Sequence, residues 1–143
     1  MVLTDRAFDA AALERALRAL RPFARGRLAV LIGSVGGRAR ERRAPLGRAA
    51  LRYADYVYFT ADDPDAEDPL EICREMIGEA RDDGRFTVIA DRGEAIRRAV
   101  CDLRAGDLLL LAGKGGEDRQ LINGCYLPFS ERELVAKAAK AHR

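Results

Sequence analysis

The sequence predicts an α/β domain: a mostly parallel sheet with helices on both faces, followed by a C-terminal hairpin and a last helix. Three observations carry this expectation. Short apolar runs alternate with segments of helical periodicity about ten residues long, the pattern of repeated β-α units. The runs are apolar throughout rather than alternating, as in strands buried on both faces. Several helical segments open on an aspartate or serine suited to capping free N–H groups.

The elements follow in order. Asp9 to Leu20 reads as a helix with Asp9 as its cap, Leu13, Leu17 and Leu20 on one face, and Pro22 as its stop. Leu28-Ala29-Val30-Leu31-Ile32 is a buried strand, and Gly33-Ser34-Val35-Gly36-Gly37 turns the chain, with positive φ as the simplest reason for its glycines. A second helix is expected from Pro45 to about Tyr53, then a strand Tyr56-Val57-Tyr58-Phe59 ending at Thr60. An acidic loop from Ala61 to Asp68 precedes a third helix, capped by Asp68 with Pro69 at its first position and running to about Asp83-Gly84. Phe86 to Ala90 is the next strand, Asp91 caps a helix from Arg92 to Arg104, and Asp107 to Ala112 is the last buried strand. After Gly113-Lys114-Gly115-Gly116, the segment Gln120 to Leu127 turns at Asn123-Gly124 as a hairpin, and Ser130 with Glu133 forms a capping box for the final helix.

Composition narrows the chemistry. The 143 residues suit one domain, and 25 basic against 23 acidic side chains leave a net charge of +2, which argues against a general nucleic-acid or membrane-surface binder. No apolar run approaches the roughly 20 residues of a membrane helix, and the N-terminus lacks a leader pattern. Cys73, Cys101 and Cys125 are too few and too scattered for a disulfide framework or a zinc site; reduced, buried thiols in a cytoplasmic protein are the simple expectation. His142 is the one histidine, so histidine-based catalysis or metal binding is not expected. Only 3 of the 25 basic residues are lysines, which singles out Lys114.

Charge is laid out in blocks. Arg38 to Arg52 holds six arginines and one acid, whereas Asp62 to Glu71 holds six acids and no base. Both blocks fall just after predicted strand ends, where open α/β sheets bind ligands. Two opposite blocks at one edge suit a small zwitterion. The two glycine loops match no dinucleotide fingerprint. Gly113-Lys114-Gly115-Gly116-Glu117 lacks the spacing and the hydroxyl of a phosphate loop, so ATP binding of that kind is not expected from this chain alone.

An ordered set of segments carries a resemblance. It comprises Gly26-Arg27-Leu28, the glycine loop with Arg38, Tyr53-Ala54-Asp55-Tyr56-Val57, Asp62-x-Pro64, Glu67-Asp68-Pro69, Asp91-Arg92-x-Glu94-Ala95-Ile96, Gly106-Asp107-x-Leu109, Ala112-Gly113-Lys114-Gly115-x-Glu117-Asp118-x-Gln120 and Phe129-Ser130-x-Arg132. In this set the chain resembles the C-terminal domain of the Mur ligases, most of all those that add the third residue of the peptidoglycan stem peptide. The resemblance implies a Rossmann-like sheet that binds no dinucleotide. It also implies a three-domain enzyme, of which residues 1–143 form the amino-acid-binding part. The other two domains bind the UDP-sugar peptide and, centrally, ATP with Mg²⁺. The implied reaction phosphorylates a carboxylate, and the amine of the incoming amino acid then attacks the acyl phosphate; no catalytic residue or metal ligand is implied in this chain, and no ATPase activity is expected from it alone.

The same resemblance implies amino-acid contacts at Arg38, Asp62, Asp63, Asp65, Gly113 and Glu117. Arg38 would fork onto the substrate carboxylate, Gly113 and Glu117 would hold its amino end, and Arg42 and Arg43 would face nucleotide phosphate. Where family members that add diaminopimelate carry Asp-Asn-Pro-Arg, this chain reads Asp62-Asp63-Pro64-Asp65. An acid in place of the arginine would repel a distal carboxylate by on the order of 4 kcal/mol at close range. Lysine, ornithine or another cationic amino acid is therefore the expected substrate. Arg38 also lacks the acidic flank common in the family, and Gly116 stands where the family has histidine. Two other readings stay open: the matching domain of a cyanophycin-type or cofactor-building ligase, and a standalone α/β module binding a small molecule or a protein.

Overall fold

The computed structural model describes residues 1–142. Five parallel strands form the sheet: β1 (Val2–Asp5), β2 (Leu28–Ile32), β3 (Tyr56–Phe59), β4 (Phe86–Val88) and β5 (Leu108–Ala112), in the spatial order β1-β5-β2-β3-β4. Five helices accompany them: α1 (Ala10–Leu20), α2 (Arg43–Tyr53), α3 (Pro69–Ile77), α4 (Arg92–Cys101) and α5 (Glu131–His142). An antiparallel ribbon of β6 (Arg119–Ile122) and β7 (Cys125–Pro128) turns at Asn123-Gly124. Among the described residues no helix is long and apolar enough to cross a membrane.

The continuous apolar strands are explained by two cores. Alternate residues of β2 and β5 (Leu28, Val30, Ile32; Leu108, Leu110, Ala112) pack with α1, α2 and α3. The intervening ones (Ala29, Leu31; Leu109, Leu111) pack with α4 and α5. Each face of a strand therefore meets helix, and neither face can carry polar side chains.

Strand β1 was not expected. Its four residues, two of them apolar, are too few to show a period, and it exists because β5 offers a free edge: Val2 to Asp5 register on Leu109 to Ala112. Two helices end earlier than their patterns predict. Gly78 takes φ +58° and stops α3 at Ile77. α4 stops at Cys101, where Asp102 turns its carboxylate to the Tyr58 hydroxyl. The expectation for the cysteines is corrected in part. Cys73 is buried, and burial pushes its thiol up to about 12. Cys101 and Cys125 are exposed, the first in the last turn of α4 and the second on the outlying ribbon.

Candidate functional site

All five parallel strands point the same way, so the segments that leave β1, β2, β3 and β5 meet at one edge of the sheet. A cleft of about 450 Å³ opens there, lined by Arg6 and Phe8 after β1, Gly33 to Val35, Arg38 and Arg42 after β2, Asp62 and Asp63 after β3, and Gly113 and Glu117 after β5. Of the residues expected to bind an amino acid, Arg38, Asp62, Asp63, Gly113 and Glu117 come together here, with Arg42 at the same cleft.

Lys114 organises the acidic side. Its side chain has no solvent exposure. Its ammonium donates to Asp63 Oδ1 at 2.8 Å and to the carbonyl of Arg119 at 3.0 Å. Asp62 Oδ1 and Glu117 Oε2 lie 3.5 and 3.7 Å away. One buried cation thus faces three carboxylates. Burial is the largest influence on Asp62 and pushes its carboxyl above the ordinary value; Arg92 and Lys114 oppose that shift, while Asp63 and Glu117 reinforce it. Arg6 also reaches Glu117 Oε1 at 3.4 Å, so three carboxylates stand against two cations, and the remaining negative charge suits a ligand ammonium group. On the basic side Arg38 is exposed at the cleft, and Arg42 lies over the Phe8 ring at 5.1 Å.

Two of the loops touch through backbone. Gly36 N–H donates to Asp63 O at 2.8 Å, and a Cβ on Gly36 would sit 1.9 Å from Pro64 O. At Gly33 a Cβ would come within 2.6 Å of Thr60 O. Only Gly37 of this loop has positive φ, so close approach, rather than the positive φ expected above, is what requires glycine at 33 and 36.

Asp65 and Arg43 do not line the cleft. Asp65, at φ +52°, turns its carboxylate to the ribbon and accepts from Gly124 N–H at 2.7 Å. Asp63 follows suit by accepting from Leu121 N–H at 3.0 Å, so the ribbon holds the acidic loop in place. Arg43 was expected beside Arg42 to face phosphate. It is instead buried, with Nη1 2.8 Å from Glu75, Nη2 2.9 Å from Glu67, and a further bond to Val35 O. The two charge blocks do meet at one edge, and Arg43 with Glu67 is one of their points of contact.

Residues 1–115 match the family model described as Mur ligase, glutamate ligase domain. The chain belongs to the Mur ligase family.

Within that family it is 41% identical over 143 residues to a UDP-N-acetylmuramoyl-L-alanyl-D-glutamate--2,6-diaminopimelate ligase of Geobacillus thermodenitrificans (strain NG80-2), covering 99% of this chain and 29% of that protein. It is 45% identical over 142 residues to the protein of the same name from Chelativorans sp. (strain BNC1), covering 97% of this chain and 28% of the relative. A solved structure of a UDP-N-acetylmuramoyl-L-alanyl-D-glutamate--2,6-diaminopimelate ligase superposes with a TM-score of 0.93 at 35% identity, over 98% of this chain and 29% of that one. A bifunctional folylpolyglutamate synthase/dihydrofolate synthase from Yersinia pestis, solved with AMPPNP and Mn ion, shares the fold alone, with a TM-score of 0.60 at 14% identity over 99% of this chain and 28% of that one. The chain thus spans less than a third of the length of the Mur ligases it matches.

Four cleft or support residues lay outside the sequence reading. Arg6 and Phe8 were missed because β1 was missed. Ser34 sits in a turn between glycines, where the sequence gives it no separate signal. Arg92 follows the capping Asp91 with nothing in the sequence to assign it a role, yet it lies fully buried under the cleft.

Proposed function

We propose that this chain is the amino-acid-binding C-terminal domain of an ATP-dependent amide-bond ligase that extends a UDP-N-acetylmuramoyl peptide in peptidoglycan synthesis. The single observation that carries the reading is the polarity of the cleft. Arg38, exposed and outside every ion pair found among the described residues, stands ready for a carboxylate, while Asp62 and Glu117 flank the place for an ammonium group. Holding the amino acid by both ends presents its amine in one orientation to an acyl phosphate formed elsewhere, which turns a bimolecular encounter into a positioned reaction. In this proposal the chain contributes orientation and closure over the nucleotide.

The rest of a longer protein would supply the UDP-substrate domain and the central ATPase domain, in a cytoplasmic enzyme. ATP and Mg²⁺ are assigned to that central domain. No cluster of three His, Cys, Asp or Glu side chains able to hold a metal ion occurs among the described residues, and no phosphate-loop motif occurs in the sequence. Arg42, at the cleft and over the Phe8 ring, is the cation proposed to meet a phosphate.

The substrate proposed is a diamino acid of the lysine type. Asp65 takes the position where the family resemblance implies an arginine for a second carboxylate, and it is tied to Gly124 rather than aimed into the cleft. The preference therefore comes from a missing attraction, and is smaller than the full repulsion between two close carboxylates. A second reading, diaminopimelate itself, is favoured by the names of the relatives at 41% and 45% identity. Ligation assays on the full-length protein, with UDP-N-acetylmuramoyl-dipeptide, ATP and Mg²⁺, separate the two. Faster turnover of lysine is expected. Faster turnover of diaminopimelate reverses the choice of substrate, and no ATP-dependent ligation of any amino acid overturns the function.

A further inference from the structure

Arg92 opens α4 and has no solvent exposure. Its Nη1 donates to Ala61 O at 3.0 Å and its Nη2 to Ala112 O at 3.1 Å. These two carbonyls immediately precede Asp62 and Gly113, so one guanidinium ties together the two arms that frame the ammonium side of the cleft. Two further donors go to Glu131, the first residue of α5: Nε and Nη2 lie 3.3 and 3.0 Å from Glu131 Oε2. Glu131 is equally enclosed, with its side chain 1% exposed, and its Oε1 has no hydrogen-bond partner.

As a device for stability this pair is poorly made. Two charges have been taken out of water, and one carboxylate oxygen is left unsatisfied; an apolar pair of similar volume serves a fold at least as well. What an apolar pair cannot do is hold two strand-end carbonyls at a set spacing. A planar fork can, because its N–H groups diverge at fixed angles, whereas a lysine offers one point charge.

We infer that Arg92 is a positioning residue: held by Glu131, it sets the separation of the Asp62 and Gly113 arms, and through them the affinity of the cleft for an amino acid it never touches. The inference rests on the amino-acid-binding reading for its functional half only; the fixing of the two arms stands independently. Arg92 also acts on Asp62 through charge, opposing the upward push of burial on that carboxyl.

The test compares the 143-residue chain with Arg92→Lys and with the double variant Arg92→Met/Glu131→Met, which removes both buried charges together. Amide hydrogen exchange is read at Gly36, Gly113 and Leu121, whose N–H groups bond to Asp63 O, Asp5 O and Asp63 Oδ1 around the two arms. Leu13 and Asp55, bonded to Asp9 O and Leu28 O away from the Arg92–Glu131 pair, serve as controls. Lysine affinity is read by NMR titration. The double variant is expected to remain folded while exchange at the three cleft amides speeds up beyond that at the controls, and lysine affinity falls, about tenfold each, the scale of losing one charge-assisted bond. Arg92→Lys, which keeps the charge opposite Glu131, should fold and still lose the fork, with the same direction of change. Unchanged cleft exchange and unchanged lysine affinity in a folded variant overturn the inference, as does a rise shared equally by the control amides. If the parent chain binds neither lysine nor diaminopimelate, the binding reading fails, and the exchange comparison still decides whether Arg92 fixes the arms.

Discussion

Replacing Lys114 by methionine removes the one cation buried among three carboxylates. The structure sets the scale. At an effective dielectric near 20, the attraction of Lys114 is about 6 kcal/mol for Asp63 at 2.8 Å and about 5 kcal/mol for Asp62 at 3.5 Å. Glu117 is 39% exposed, so its share is screened and adds little. Much of this gross attraction offsets the cost of burying the charges, and breaking such a pair by deleting one member costs about 3–5 kcal/mol. In a domain of this size that lowers the melting temperature by about 10 °C or more. Urea denaturation of parent and Lys114→Met across pH provides a second check. The folded carboxyl of Asp62 is already raised by burial, and losing Lys114 removes one of the two influences holding it down. A carboxyl whose folded pKa lies above its unfolded value binds more protons in the folded state, so stability grows as pH falls through that interval. The deficit of Lys114→Met is therefore largest at neutral pH and shrinks toward about pH 4, the unfolded value. A loss below about 1 kcal/mol at neutral pH, or a deficit that does not change with pH, refutes the reasoning.

Two further outcomes follow from packing and from a buried acid. Gly47→Ala in α2 should lower the melting temperature, although alanine ordinarily favours a helix interior by about 1 kcal/mol. The added Cβ would lie 1.7 Å from Met76 O, so α2 and α3 must part at a cost of about 1–3 kcal/mol; a raised melting temperature contradicts this. Asp107 accepts from the N–H groups of Arg27 and Arg104 and from the Arg27 guanidinium, and although burial is the largest influence and pushes its carboxyl up, these bonds together hold it below the usual range. Such a group stabilises above its unfolded pKa of about 3.9 and loses that contribution as pH falls through the lower folded value. Asp107→Asn should be less stable than the parent by about 1–3 kcal/mol at neutral pH, with the gap closing in acid; a constant gap in denaturation curves from pH 7 to 3 counts against it.

Much of the cleft was legible because it sits at strand ends. Once β2, β3 and β5 are placed by their apolar runs, parallel topology alone brings the segments after Ile32, Phe59 and Ala112 to one edge, and with them Arg38, Asp62, Asp63, Gly113 and Glu117. Side-chain direction was not legible in the same way. Asp62, Asp63 and Asp65 lie within four positions of an irregular loop, where no period assigns faces; the positive φ of Asp65, its backbone N–H bond to Leu121 O and the bond its carboxylate accepts from Gly124 N–H turn Asp65 away. Arg42 and Arg43 are neighbours with opposite fates for a similar reason. The chain enters α2 there, and the following residue turns inward to Glu67 and Glu75.

By itself the sequence determined the order of strands and helices, their parallel arrangement, the edge at which charge gathers and the family to which the chain belongs. Those depend on local capping and on the spacing of apolar residues, which each segment carries within itself. Tertiary structure alone decided that β1 exists, that Lys114 and Arg92 are wholly enclosed, and which acids reach the cleft. Each of these depends on a partner more than twenty positions away in the sequence, or on a carbonyl offered by another element, and no local pattern of residues encodes that partner.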